Sequence, residues 1–272
     1  MSAQTSLSRP IRVVMFGGGP VLERDVKQFL IRLEAHPDIE LLGAFCQSSG
    51  PSFGNMIWDL WRRRGWLAIP LLGLQMLSRS AQWLSQPHKE WVIQRDFKRL
   101  KDRIHFIPDI HNEAVLTKVR ALAPDLGLIY GSPILKPALF EIPRLGTLGI
   151  HHGQVPQYRG KKTTFWALYN GEAEAGVTIQ KINAGLDTGL IVNSATVPAD
   201  GRFYGKVWRE LVTLGLDLYI ESILQVRAGT AVYHPQSGLK GKLYRDPKPI
   251  DLFRFWKRQA RQVLIKKGKG DH

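Results

Sequence analysis

The sequence predicts an α/β fold built on a mostly parallel, twisted sheet flanked by helices. Three observations predict it. The chain opens with the apolar run IRVVMFGGG at 11–19, which reads as a buried strand ending in a glycine turn. Apolar residues then recur at 26, 29, 30 and 33, the spacing of one helix face, before a second apolar run, IELLGAFC, at 39–46. Strand, turn, helix and strand in that order is the pattern of crossover connections between parallel strands.

The first strand ends in FGGGP. A dinucleotide-binding fingerprint would need glycine at position 22, where Leu22 stands, and Pro20 intrudes. What remains is a run of backbone N–H groups between a first strand and a helix start, a setting that suits an anion. Gly17, Gly18 and Gly19 are therefore candidate substrate contacts, set against a plain tight turn that needs positive φ. Cys46, the single cysteine, closes the second strand and reads as a small buried residue. One cysteine excludes a disulfide framework and a cysteine-rich zinc site, and no metal site is predicted.

Residues 47–103 carry five of the eight tryptophans and many Lys and Arg, and read as an insertion. Within them, WDLWRRR (58–64) and GWLAIPLLGLQML (65–77) fall short of the ~20 residues of a membrane span. An in-plane interfacial helix and a surface helix covering the core both fit. Residues 103–109 read as a strand, 112–125 as a helix capped by Asn112, and 125–131 and 147–153 as buried strands. GVTIQKI (176–182) and LIVNSATV (190–197) fit antiparallel neighbours around NAGLDTG. Residues 202–226 form a long amphipathic helix, and the rest, including 244–267, is a loop and then a basic helix, with no internal repeat.

Lys and Arg number 38 against 23 Asp and Glu, a net charge of +15. Such a balance favours polyanionic partners: nucleic acid, phosphorylated metabolites or an anionic membrane surface. Residues 240–272 hold eleven Lys/Arg against three Asp, which equally describes a solvated basic tail. The N-terminal segment shows no signal-peptide pattern, and a cytoplasmic setting is expected.

His151 and His152 are adjacent in a strand, so they point to opposite faces and only one can line a given pocket. Open α/β folds place their chemistry at the carboxyl ends of the strands. In GLDTG, Asp187 lies between glycine-containing bends in a loop, free to approach a ligand. A histidine and a carboxylate together support proton transfer at a reacting centre.

Pro156-x-Tyr158-Arg159-Gly160 follows the His-bearing strand. YGSPILKPALFEIPRLGTLGIHHG (130–153) precedes it, and ALYNGEAEAGVTIQKINAGLDTG (167–189) comes after. This pattern resembles the folate-dependent formyltransferase family, which includes methionyl-tRNA formyltransferase, glycinamide ribonucleotide formyltransferase, the sugar N-formyltransferases and formyltetrahydrofolate deformylase. The resemblance runs from about residue 11 to 200 and is weakest across 47–103. It implies a Rossmann-like formyltransferase fold, with a catalytic domain over 1–230 containing the insertion and a basic extension over 231–272. It implies 10-formyltetrahydrofolate as donor, its pterin held by Tyr130, Gly131, Ser132, Pro133, Ile134 and Leu135 and by Asn183, Ala184 and Gly185. It also implies an acceptor amine that attacks the formyl carbon.

The family's Asn-x-His pair and distant Asp fall on Gly149, His151 and Asp187. By resemblance, His151 donates to the oxyanion of the tetrahedral intermediate, and Asp187 fixes His151 and a water that relays the amine's proton. Gly149 carries no amide, and losing one such donor typically costs ~10²–10³ in rate. Four readings stand at this point. Gln154 swings its amide into the gap; backbone groups and His151 suffice for a slow enzyme; the missing bulk admits a different donor or acceptor; or the chain binds ligand without transfer, formyl hydrolysis included.

The tRNA-directed members append a β-barrel, and only about 45 residues follow the helix ending near 226, few for such a domain. Arg159, Lys161 and Lys162 join the glycine turn as candidate phosphate contacts, although the lysine pair equally reads as solvent-exposed. The expected partner is thus a small phosphorylated amine acceptor, such as an amino sugar on a nucleotide or lipid. RNA contact through the basic tail and peripheral membrane contact are the alternatives.

Overall fold

The computed structural model describes residues 9–19, 21–48, 87–236 and 241–268, with side chains as far as Gln259 apart from those of residues 87 and 89. The tryptophan-rich stretches at 58–64 and 65–77 lie outside the described residues. The chain forms two compact units, Met1–Thr147 and Leu148–His272.

The first unit contains β1 (Ile11–Gly18), α1 (Arg24–Ala35), β2 (Ile39–Gln47), α2 (Pro87–Lys98), β3 (Ile104–Ile107), α3 (Glu113–Leu122), β4 (Leu126–Tyr130) and α4 (Pro137–Phe140). Its strands run β3-β2-β1-β4, each pair parallel, as the crossover pattern requires. Val13, Val14, Met15 and Phe16 of β1 are all fully buried, which explains why the strand reads as a continuous apolar run. α1 buries Val26, Phe29, Leu30 and Leu33, the face its spacing announced. Burying each such side chain contributes ~1.5–3 kcal/mol. The Asn112 side chain caps α3 by accepting from the Ala114 N–H at 2.9 Å, and the helix stops where Ala123 turns left-handed (φ 45°) before Pro124. Cys46 is buried, and desolvation pushes its thiol pKa up to about 12, as befits an inert strand residue. α2 falls inside the stretch read as an insertion and packs on α1, where Arg24 pairs with Glu90 at 2.9 Å.

The second unit contains β5 (Thr147–His151, beginning at the boundary), β6 (Tyr158–Gly160), α5 (Thr163–Asn170), β7 (Glu174–Lys181), β8 (Leu190–Pro198), α6 (Tyr204–Ala228), β9 (Lys242–Tyr244) and α7 (Pro249–Gly268). β5, β7 and β8 pair antiparallel, and β6 pairs with β9 in parallel. α6 lies over β7 and β8, burying Val207 and Leu211 in one cluster with Val177 and Val197. The buried Tyr219 hydroxyl donates to the Leu148 carbonyl at 2.8 Å, pinning the helix to β5.

The boundary between the two compact units falls at 147/148. Residues 242–259 belong to the second unit rather than to a solvated tail. Tyr244 stacks on Tyr158 at 5.0 Å, Phe255 packs on Phe165 at 4.7 Å, and the Gln259 side chain accepts from the Tyr204 N–H at 2.9 Å. Among the described residues, no helix is long and apolar enough to cross a membrane.

Candidate active site

The site is built on the β5–β7 ladder. Gly149 lies opposite Gln180, and His151 opposite Thr178. Directly opposed residues of an antiparallel pair share a face, so these four positions share one face of the sheet. His152 turns away, as strand alternation predicts. Its ring packs on Trp208 of α6 at 4.8 Å. Burial, with the neighbouring His151 as a smaller cause, pushes its pKa down to about 4, so it is neutral at pH 7.

The turn between β7 and β8 delivers the carboxylate. The Asn183 side-chain oxygen accepts from the Gly185 N–H at 3.0 Å and the Thr188 hydroxyl at 2.9 Å, while its amide donates to the Thr188 carbonyl at 3.1 Å. A side chain that folds back on its own turn in this way fixes the backbone. Asp187 sits there with φ 51°, in the left-handed region. Its Oδ1 lies 3.5 Å from His151 Nδ1 and accepts from Gln180 Nε2 at 3.1 Å, and its Oδ2 accepts from the Gly160 N–H at 2.8 Å.

His151 Nε2 donates to the Tyr158 carbonyl at 2.7 Å. That bond exists because position 153 is glycine: a Cβ there would come within 2.7 Å of both His151 Nε2 and the Tyr158 oxygen. Nε2 is therefore committed. Nδ1 is held in the carboxylate's field, but 3.5 Å is too long for a good hydrogen bond. Nδ1 is the ring position left for an incoming oxygen, and a ring protonated on both nitrogens has a donor for each side.

Gln154 does not reach this pair. Its side chain lies over Gly176, where a Cβ would sit 2.2 Å from Gln154 Cγ. Gly176 is four residues along β7 from Gln180, or about 13 Å at strand rise, so the Gln154 amide does not fill the space beside Gly149. The expectation for Gln154 is corrected on that ground.

Arg159 lines a cleft of ≈ 370 Å³ with Thr188, Leu190, Pro156, Pro235, Gln236 and Gly241. Its Nε is buried without a hydrogen-bond partner among the described residues. Lys161 instead pairs with Asp246 at 3.3 Å, and Lys162 is exposed with φ 55° at the start of α5.

In the first unit, the glycine turn and the 130–135 loop adjoin each other. A Cβ on Gly18 would meet the Gly131 carbonyl at 2.9 Å and Pro133 at 3.1 Å. The Gly19 N–H donates to the Gln47 carbonyl at 2.9 Å, so that amide is already used by the fold. The Tyr130 hydroxyl donates to Asp25 at 3.0 Å. Burial raises the Asp25 carboxyl above its ordinary value, outweighing the lowering pull of that bond. Ser132 donates to the Pro133 carbonyl at 2.6 Å, Leu135 is buried, and Ile134 stands 76% exposed. On the second loop Ala184 and Gly185 are exposed, as is the neighbouring Leu186. Among the described residues, no cluster of His, Cys, Asp and Glu could hold a metal.

Residues 89–202 match the formyl transferase family model. The methionyl-tRNA formyltransferase of a Synechococcus strain is 33% identical over 256 residues, covering 93% of this chain and 69% of that protein. The chain belongs to the formyltransferase family. The donor in this family is 10-formyltetrahydrofolate. Alignments with other curated formyltransferases cover less of them, 47% of one from a second Synechococcus strain. Two solved formyltransferases share the fold. Glycinamide ribonucleotide transformylase 1 from Symbiobacterium toebii is 17% identical with a TM-score of 0.56, covering 83% of this chain and 90% of that one. A sugar N-formyltransferase from Shewanella is 14% identical with a TM-score of 0.55, covering 86% and 76%.

The expected pair, His151 and Asp187, is thus in contact within the second unit. The sequence reading missed Gln180, the Tyr158 carbonyl and Gly153. Reading β5 and β7 as antiparallel partners would have set Gln180 opposite Gly149 and exposed the first of these. The other two depend on a loop path with no sequence signal of its own.

Proposed function

We propose that the chain transfers the formyl group of 10-formyltetrahydrofolate to the amine of a small, anionic acceptor of the amino-sugar class, with His151 and Asp187 as the reacting pair. The observation that carries this reading is the 3.5 Å approach of His151 Nδ1 to an Asp187 carboxylate already fixed by Gln180 and the Gly160 N–H. Donors set in place before charge develops are typically the largest catalytic contribution.

The acceptor nitrogen attacks the formyl carbon, forming the new C–N bond, and the carbonyl oxygen becomes an oxyanion facing His151 Nδ1, which donates to it when the ring carries a proton on each nitrogen. The proton lost by the amine passes by way of Asp187 and a bound water to N10 of the folate as the C–N10 bond breaks. Within the second unit, Leu186 supports donor binding, since this apolar side chain stands 46% exposed on a loop assigned to the pterin. Arg159 supports an anionic acceptor. Its side chain lines the cleft, and a guanidinium is suited to bidentate contact with phosphate. The fold shared with a sugar N-formyltransferase agrees with that class. The setting we propose is cytoplasmic.

The test is to incubate the protein with 10-formyltetrahydrofolate and a panel of nucleotide-linked and lipid-linked amino sugars, following formylated product. His151→Ala is expected to slow formation by ~10²–10⁴-fold. Folate consumption without formylated amine would convert the reading to hydrolysis, and rates indifferent to His151→Ala would end it.

A further inference from the structure

Position 149 has no side chain, yet its cross-strand partner carries an amide. Gln180 is only 3% exposed and lies directly opposite Gly149. Opposed Cβ positions in such a ladder sit ~4.5–5.5 Å apart on one face, so a side chain from 180 projects over the ground left bare at 149. His151 shares that face, two residues along β5.

The orientation of this amide is set by its neighbours. Asp187 can only accept, so the nitrogen of Gln180 must face it, at 3.1 Å. The Gln180 oxygen accepts from Gln236 Nε2 at 3.3 Å, and Gln236 is itself anchored by donating to the Gly189 carbonyl at 2.7 Å. An amide nitrogen has two hydrogens. Asp187 takes one, and the described residues supply no acceptor for the other. A buried donor without an acceptor is costly, and it is explained if a substrate oxygen completes it.

We propose that Gln180 is a catalytic residue that supplies, from the neighbouring strand, the amide that position 149 lacks. One N–H holds the Asp187 carboxylate, and the other donates to the formyl oxygen beside His151. This rests on the reading of His151 and Asp187 as the reacting pair. It accounts for how a formyltransferase with glycine at 149 keeps a side-chain amide at its reacting centre: the donor has moved across the ladder.

The test uses the full chain and 10-formyltetrahydrofolate, with formyl loss followed through the folate absorbance and kcat separated from KM. Gln180→Met keeps the volume and removes the amide. Its kcat is expected to fall by ~10²-fold, the usual effect of losing one such donor, with KM for the folate within threefold of wild type. Restoring an amide from the original side, in Gly149→Asn/Gln180→Met, is expected to recover at least tenfold of the loss. A merely structural role for Gln180 predicts no such rescue. Should Gln180→Met fail to fold, Gln236→Leu leaves Gln180 in place but frees its carbonyl, and kcat is expected to drop about tenfold. A wild-type chain that loses formyl at a His151-dependent rate, alongside a Gln180→Met variant with wild-type kcat, overturns this proposal alone. So does a double variant no faster than the single. A wild-type chain with no His151-dependent loss overturns the functional reading and this proposal with it.

Discussion

The two units bury different kinds of side chain. Among the described residues, the first buries two polar or charged side chains, Asp125 and Thr147. The second buries seven: His151, Thr163, Thr164, Thr178, Gln180, Ser222 and Gln259. In the first unit, the buried carboxylate is a structural tie. Burial alone would raise the Asp125 pKa, but the Arg12 N–H, Arg144 and Arg9 hold it below the ordinary value. In the second, the buried Gln180 and His151 belong to a polar chain: Gln236 to Gln180, Gln180 to Asp187, Asp187 beside His151, and His151 to the Tyr158 carbonyl. An apolar core sets a shape, whereas hydrogen-bonded polar groups within a core also fix donors and acceptors in low dielectric, the condition catalysis needs.

The largest stability effect should come from the apolar part of that second core. Phe255→Ala is expected to cost ~3–5 kcal/mol in denaturant unfolding, because Phe255 is 1% exposed and packs on Phe165. A cost under about 1 kcal/mol would place α7 outside the core. Next comes pH. The pKa of His152 is lowered from 6.5 to about 4, chiefly by burial. A depressed group contributes stability above its unfolded pKa and loses it as pH falls through the folded one. Thermal stability should therefore decline between pH 6.5 and about 4, and His152→Gln should flatten that decline.

Two isosteric threonine changes sharpen the contrast directly. Thr178→Val strips a donor from the Gly153 carbonyl (2.8 Å), and Thr147→Val strips one from the Phe140 carbonyl (2.6 Å). Each is expected to cost ~1–3 kcal/mol. Only Thr178→Val should also slow formyl transfer, since Gly153 abuts His151 Nε2. Equal slowing by both would erase the distinction. The smallest effect is expected at the α3 cap, where Asn112→Ala should cost ~1 kcal/mol and leave transfer rates unchanged.

Much of the first unit was legible in the sequence because its signals are local. β1 is a continuous apolar run, α1 has a clear apolar period, and Asn112 caps where expected. α5 escaped notice because Thr163, Thr164, Phe165, Ala167 and Leu168 are buried almost all round, which leaves no polar face to mark a period. β6 and β9 are three residues each and are defined only by pairing across more than eighty positions. At the site, His151 and Asp187 were legible as residue types in a motif. Gln180 was not, because its importance comes from register with β5 rather than from its neighbours in the chain. Gln154 was misplaced for a related reason: the chain leaves β5 after His151, and the loop carries Gln154 over the space that Gly176 leaves open.

The central claim is that His151 and Asp187 act as one unit on the formyl group. A double-mutant cycle on the rate of formyl transfer from 10-formyltetrahydrofolate tests it most directly, using His151→Ala, Asp187→Ala and the pair together. Residues that act as a unit are strongly non-additive. The double variant should be no more than a few-fold slower than the slower single, each single having lost ~10²-fold or more. Losses that simply multiply would show two groups working independently and would contradict the account.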